Sequence, residues 1–209
     1  HRDSKLDLIT ISLYNKAGDV IAKRCFLGLL TSAAYRHLTS DIPMLSERTG
    51  RVISNAGLPE GSHDQKALRD ILETFPRDLV MQCDTDELST MAIGILDLQE
   101  RQRVRLFGQR DRYSRFYNCV VYIPRDKYGR ELRLAVQDVL AQALHGVEVE
   151  FDTQFSSNSA LARINYVIWN DPSKDISNVD WAELERKIVD IAHGWDELLQ
   201  DAVRDHFGD

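Results

Sequence analysis

The stretch RVRLFGQRDRYSRFYNCVVYIPRDKYGRELR, Arg103 to Arg133, contains two predicted strands and the start of a predicted helix. Its segments RVRLFG and FYNCVVYIP have the composition of two strands, and the polar turn QRDRYSR between them predicts a β-hairpin. The following segment, RELRLAVQDVLAQALHG, has apolar residues at helical spacing, and Gly146 is a typical C-terminal stop. The order strand, strand, helix therefore predicts a module of mixed α and β structure.

The next segments extend this module by two strands and a helix. VEVEFDTQF and ALARINYVIW both alternate apolar and other residues, as half-buried strands do. The resulting order ββαββα is a circular rearrangement of the βαββαβ order of ferredoxin-like domains. We therefore predict an α+β fold with a four-stranded sheet, two helices on one face and a solvated second face.

The residues before this module form a hairpin and a helical segment. LDLITISLY and VIAKRCFLGLLTS are predicted strands joined around Gly18, and the apolar run from Cys25 to Leu30 indicates burial on both faces. Between Asp41 and Gln102, caps and apolar stripes predict three helices, which we interpret as a helical linker. The predicted units are residues 1–40, a β-hairpin; 41–102, the linker; 103–170, the αβ sandwich; and 171–209, a long amphipathic helix.

The last helix has an apolar heptad seam of about three repeats. It packs either on the sheet of its own chain or against another subunit or domain, and the sequence leaves both open. The seam residues are Trp181, Leu184, Ile188, Ile191, Trp195 and Leu198.

Charge is unevenly distributed along the chain. Residues 103–133, which we call the basic hairpin, contain nine Arg or Lys and three Asp or Glu, a net charge of +6. The whole chain has a net charge of -7, and residues 171–209 alone contribute -7. We consider three interpretations: a docking surface for acidic partners, a site for an anionic effector such as an amino-acid carboxylate, and an RNA-binding sheet. The candidate residues are Arg105, Arg110, Arg112, Arg115, Arg125 and Arg130.

Several functional classes are disfavoured. The acidic chain and the absence of the glycine positions of an RNA-recognition motif argue against nucleic-acid binding. No GxGxxG, GxxxxGK[ST], GxSxG or HExxH motif occurs, and the three Cys and six His do not cluster at metal-ligand spacing. No apolar run is long enough to span a membrane. We therefore expect a cytoplasmic protein with reduced thiols and assign no catalytic, cofactor-binding or metal-binding residue.

Several long segments together resemble the N-terminal regulatory half of the large-subunit, bacterial NAD-dependent glutamate dehydrogenases. They are CFLGLLTSAAY, GLPEGSHDQKALRDILETFPRDLVMQ, LDLQERQRVRLFGQRDRYSRFYNCVVYIPRDKYGRELR and FSSNSALARINYVI, in the expected order over residues 20–170. Two positions depart from the family pattern: Gly108 stands where we expect a larger apolar residue, and Ser114 stands where we expect Gly.

The resemblance implies that this chain is a fragment of a longer enzyme. That enzyme oxidises L-glutamate to 2-oxoglutarate and ammonia with NAD, and its catalytic domain lies downstream. Residues 1–40 would be the tail of one ACT-type module and 103–170 most of the next; ACT-type modules are ferredoxin-like units of amino-acid sensing and oligomer contacts. The implied partners are the remaining domains of the same enzyme and further copies in a homo-oligomer. The sequence thus predicts a non-catalytic regulatory or oligomerisation fragment.

Overall fold

A computed structural model describes residues 5–99, 101–156, 159–171, 173–174 and 178–207 of this chain. Within those residues, the side chains of 99 and of 195–207 are not described. Among the helices of the described residues, none combines the length and the apolarity that crossing a membrane requires.

The chain begins with a two-stranded antiparallel sheet, β1 (Asp7–Tyr14) and β2 (Val20–Gly28), which confirms the predicted hairpin. Its turn is closed by the side chain of Asn15, whose Oδ1 accepts hydrogen bonds from the backbone N–H groups of Ala17 and Asp19 at 2.8 and 2.9 Å. Gly18 has φ +89°, a conformation that favours glycine.

A helical region follows the hairpin. It contains α1 (Ser32–Arg36), a 3₁₀ turn (Thr39–Asp41), α2 (Pro43–Asn55), α3 (His63–Thr74), α4 (Arg77–Gln82) and α5 (Thr85–Gln99). The sequence predicted α2, α3 and α5 but not α1 or α4, which are too short to show a helical apolar period. Ser62 caps α3 by accepting a hydrogen bond from the Gln65 N–H, as its position in the sequence predicts.

The second sheet has four strands: β3 (Arg105–Arg110), β4 (Phe116–Pro124), β5 (Gly146–Phe155) and β6 (Leu161–Asn170). Its order is β3-β4-β6-β5, and all neighbouring pairs are antiparallel. Between β4 and β5 runs α6 (Arg130–Ala143), and α7 (Trp181–Phe207) follows β6. This is the strand order of a circularly rearranged ferredoxin-like domain, which confirms the predicted α+β class.

The sheet is covered on both faces over β3, β4 and the start of β6, whereas β5 is largely exposed, so the prediction of a wholly solvated face is wrong. One face packs on α6 and α7, and Tyr117, Ile164 and Tyr166 are among its buried side chains. The other face packs on α2 to α5 through Phe107 and Val120. The predicted linker is therefore also a layer of the structure, because its apolar stripes need a partner and the sheet supplies one.

An arginine links the helical layer to the sheet. Arg163 on β6 is buried and donates to the carbonyl of Thr74 at the end of α3, at 2.5 Å, and to Gln154 on β5. Its cation therefore lies where the partial negative charge at the C-terminal end of α3 is greatest, a favourable placement.

Two sequence expectations fail locally. The run from Cys25 to Leu30 is exposed, except for the half-buried Leu30, rather than covered on both faces. Gly146 is not the stop of α6 but the first residue of β5, and His145 takes the left-handed conformation, φ 47°. A glycine is required at 146 because an added Cβ would lie 2.6 Å from Cγ2 of Ile168.

Candidate docking surfaces

The turn between β3 and β4 is organised by a buried carboxylate that sequence reasoning did not single out. Asp111, 5% exposed, accepts hydrogen bonds from the backbone N–H groups of Tyr113 and Arg115 and pairs with the Arg115 guanidinium at 3.0 Å. This pairing raises the pKa of Arg115. Ser114 has φ 57°, so the position where the family resemblance predicts glycine does have the conformation that favours it.

The first arginine of β3 is paired with the final helix. Arg105 lies 3.2 Å from Glu185 of α7, and the other oxygen of the same carboxylate accepts the backbone N–H of Leu106 at 2.9 Å. Because β3 is an edge strand, this bond satisfies a donor that the sheet leaves open. One ion pair between the basic hairpin and the acidic C-terminal segment thus forms within the chain.

The other candidate arginines differ in their surroundings. Arg125 stacks over Phe155, with 5.3 Å from its guanidinium carbon to the ring centre, and Arg110 is half-buried. Arg112 and Arg130 are exposed, and neither side chain makes a hydrogen bond or ion pair with a described residue.

The six arginines form two groups rather than one site. Arg110, Arg112 and Arg115 surround the β3–β4 turn, whereas Arg105, Arg125 and Arg130 lie at the opposite end of the same strands. Nine residues of β4 separate the two ends, a length of about 26 Å at ~3.3 Å per residue. A small anion therefore cannot contact both groups, although a partner surface can.

The start of α7 packs closely on the sheet because Gly108 has no side chain there. Trp181 packs over Gly108 of β3, and its ring centre lies 6.1 Å from that of Tyr117. A Cβ at Gly108 would lie only 2.1 Å from Trp181 Cζ3. The departure from the family pattern at Gly108 is therefore explained by the Trp181 ring, which fills the space of a larger side chain.

The heptad seam packs within the chain over its first half. Leu184 and Ile188 are buried in the core formed with the sheet and α6, and Ile191 is half-buried against it. Trp195 and Leu198 belong to the part of α7 whose side chains lie outside the described residues.

The β1–β2 hairpin presents the largest group of exposed apolar side chains among the described residues. Cross-strand partners lie on the same face of a sheet, so Ile9 and Phe26 share one face with Ile11 and Leu13. Ile9 is 48% and Phe26 51% exposed. Exposed apolar patches of this kind mark interaction surfaces. We call this surface the apolar hairpin face; of its residues, Phe26 lies in the run from Cys25 to Leu30 that was predicted to be buried.

The hairpin is connected to the rest of the chain mainly by polar contacts at its base. Lys5 pairs with Glu148 at 2.8 Å and Glu150 at 3.2 Å on β5. Tyr35 donates to Asp78 on α4 at 3.2 Å. Burial, together with the nearby carboxylates, raises the pKa of Tyr35 to about 12, so this hydroxyl remains a donor at neutral pH.

The described residues contain no group of three or more His, Cys, Asp or Glu side chains arranged to hold a metal ion. Cys83 and Cys119 are buried, and burial raises the pKa of both thiols, that of Cys83 to about 12. Neither has the lowered pKa of a nucleophilic cysteine.

Two models of one enzyme family match consecutive segments of this chain, and the segments correspond to the two layers. The helical motif 1 of glutamate dehydrogenase matches residues 42–101, which form the helical layer, and the ACT2 domain of glutamate dehydrogenase matches residues 105–196, which form the four-stranded sheet with α6 and the described start of α7. The chain belongs to the glutamate dehydrogenase family. The predicted ACT-like, ferredoxin-like module is thereby confirmed.

Curated glutamate dehydrogenases align with the whole chain. It is 38% identical over 209 residues to the NAD-specific glutamate dehydrogenase of Halomonas elongata and 35% identical over 209 residues to that of Pseudomonas aeruginosa. The enzyme of Mycobacterium tuberculosis is 28% identical over 193 residues, 87% of this chain. The chain spans 12 to 13% of the length of these relatives.

Proposed function

We propose that this chain is a non-catalytic assembly and regulatory segment of a larger, cytoplasmic NAD-dependent glutamate dehydrogenase. The larger enzyme would convert L-glutamate, NAD and water to 2-oxoglutarate, ammonia and NADH. The NAD site and the catalytic residues would lie in other parts of that enzyme, and we assign none to this chain. The support is that relatives of this activity are about eight times longer than the region they share with it.

The observation that carries the assembly role is the apolar hairpin face. An isolated two-stranded hairpin is marginally stable in water, and three or more strands or a packed layer are normally needed. β1 and β2 have neither among the described residues, yet Ile9, Ile11 and Phe26 project from one face. We propose that another part of the same enzyme covers this face, so that residues 1–40 complete a preceding ACT-like module.

The exposed arginines supply a second contact. Arg112 and Arg130 lie outside the ion pairs of the described residues, so both are available to an acidic partner. Charged groups at the rim of an interface contribute mainly to orientation and association rate. We propose that the basic hairpin orients this segment against other domains or subunits of a homo-oligomer.

The assembly role is tested in the full-length enzyme by placing a charge on each face of the hairpin. Phe26→Asp should reduce the oligomeric mass measured by light scattering, because it buries a carboxylate in an apolar contact. Thr10→Asp is the matched control, since Thr10 lies on the opposite face and is exposed. Unchanged assembly in Phe26→Asp, or equal loss in both variants, would contradict the role of this face.

The role of the arginines and the lack of catalysis are tested separately. In the full-length enzyme, Arg112→Glu should weaken assembly more than Arg69→Glu, which makes the same charge change at another exposed position, on α3. The 209-residue chain should give no glutamate-dependent reduction of NAD. Activity of the isolated chain would overturn the assignment of a non-catalytic segment.

A further inference from the structure

A cleft lies where the helical layer meets the four-stranded sheet, at the end of the sheet where β3 and β6 begin. Its walls are the loop after α2, the start of α3, the last two turns of α5, residues 101–103 and the residues that lead into β6. The cleft has a volume of about 600 Å³, within the usual range of small-molecule sites. It joins the two units that match the helical motif and the ACT2 domain.

The cleft brings together opposite charges that do not neutralise one another. Asp64 and Asp97 project from the two helical walls, and Arg101 and Arg103 from the segment that leads into β3. None of these four side chains makes a hydrogen bond or ion pair with any residue that the structure describes. This differs from Arg48, which is engaged by three backbone carbonyls at 2.6 to 2.8 Å.

Apart from the polar residues His63, Gln102 and Ser159, the rest of the lining is short and aliphatic. Leu161 is buried at the start of β6, and the helical walls add further apolar side chains. These are Ala56, Leu58, Ala67, Ile93 and Leu96. A ligand that fits this lining would carry an apolar body of a few carbons beside its charged groups.

We propose that this cleft binds a small zwitterion: one carboxylate, one ammonium group and a short aliphatic chain. Arg101 and Arg103 would hold the carboxylate, since guanidinium groups form strong charge-assisted bonds to carboxylates. Asp64 and Asp97 would accept from the ammonium group. A phosphate ester suits the cleft less well because both carboxylates would repel it, and a metal cation less well because both guanidinium groups would.

This inference goes beyond the proposed assembly role and does not depend on it. Arg103, the first residue of the basic hairpin, lies in this cleft, whereas the six candidate arginines of the hairpin do not. A ligand that contacts α3, α5 and the start of β6 together binds only while the helical layer and the sheet are in this packing. By linkage, binding then stabilises that packing.

The proposal is tested by calorimetric titration of the 209-residue chain with three probes that differ by one charged group. L-norvaline has both groups, pentanoate lacks the ammonium and butylamine lacks the carboxylate. L-norvaline should bind at least tenfold more tightly than either analogue. Equal binding of all three probes, or no detectable binding of L-norvaline, would overturn the proposal.

Two variants locate the binding in the cleft. Arg103→Gln and Asp97→Asn should each weaken L-norvaline binding at least tenfold, and Arg112→Gln, a control on the basic hairpin, should leave it unchanged. Both positions are exposed, so folding is expected to be retained. Full binding in both cleft variants would overturn the site. Assembly of the full-length enzyme is measured independently, so failure of one proposal does not imply failure of the other.

Discussion

Replacing Gly108 by alanine tests the packing of the final helix on the sheet. The added Cβ would lie 2.1, 2.2 and 2.4 Å from three atoms of the Trp181 ring, so the ring must move. Forced overpacking typically costs about 1 to 3 kcal/mol. The alternative is that the ring swings into solvent and loses about 100 Å² of burial, about 2.5 kcal/mol at ~25 cal/mol per Å². Together the two routes predict a loss of about 1 to 3 kcal/mol in the free energy of unfolding.

Urea and thermal unfolding of the 209-residue chain measure this loss. For a chain of this size, the melting temperature should fall by about 2 to 12 °C. The control is the same change in a Trp181→Ala background, where the obstacle is absent and Gly108→Ala should cost less than about 0.5 kcal/mol. An unfolding free energy that Gly108→Ala leaves unchanged, or lowers equally in both backgrounds, would refute this packing.

Three further predictions concern other parts of the structure. Ser114→Gly should raise the free energy of unfolding by about 0.5 to 1 kcal/mol in urea, because φ there is 57°; a loss would argue against that conformation. At pH 9 a disulfide reagent should label Cys25 rapidly and Cys83 and Cys119 only after unfolding, because burial raises the pKa of the latter two thiols. Rapid labelling of all three cysteines would contradict the burial of Cys83 and Cys119. Arg163→Met should cost about 1 to 3 kcal/mol, measured by urea unfolding, because it removes the charge-assisted hydrogen bond to the partly buried carbonyl of Thr74; a neutral change would mean that this link is dispensable.

The elements with a strong apolar period could be predicted from the sequence. The stripe of Leu88, Met91, Ile95 and Leu98 on α5 is buried as expected, and Ile164, Tyr166 and Ile168 of β6 face α6 and α7 as the alternation indicates. Periodicity reports which side of an element is apolar. It does not report which layer covers that side, so the packing of the helical segment on the second face of the sheet was missed.

The functional surfaces were less predictable, because local sequence patterns do not report which distant segments meet in the fold. Charge counting found the basic hairpin but could not show that Glu185 neutralises Arg105, since 80 positions along the chain separate them. The cleft escaped sequence reasoning because its walls come from five separate segments. The apolar run ending at Leu30 was read as buried, and in this structure it is uncovered; burial of that face requires chain beyond the described residues.

Hydrogen exchange of β1 and β2 tests the proposed assembly role most directly. The amides of residues 7–28 would be compared in the 209-residue chain and in the full-length enzyme. If another part of the enzyme covers the apolar hairpin face, these amides should exchange at least about tenfold more slowly in the full-length enzyme. Equal exchange in both proteins would show that the hairpin remains uncovered and would contradict the assembly role proposed for it.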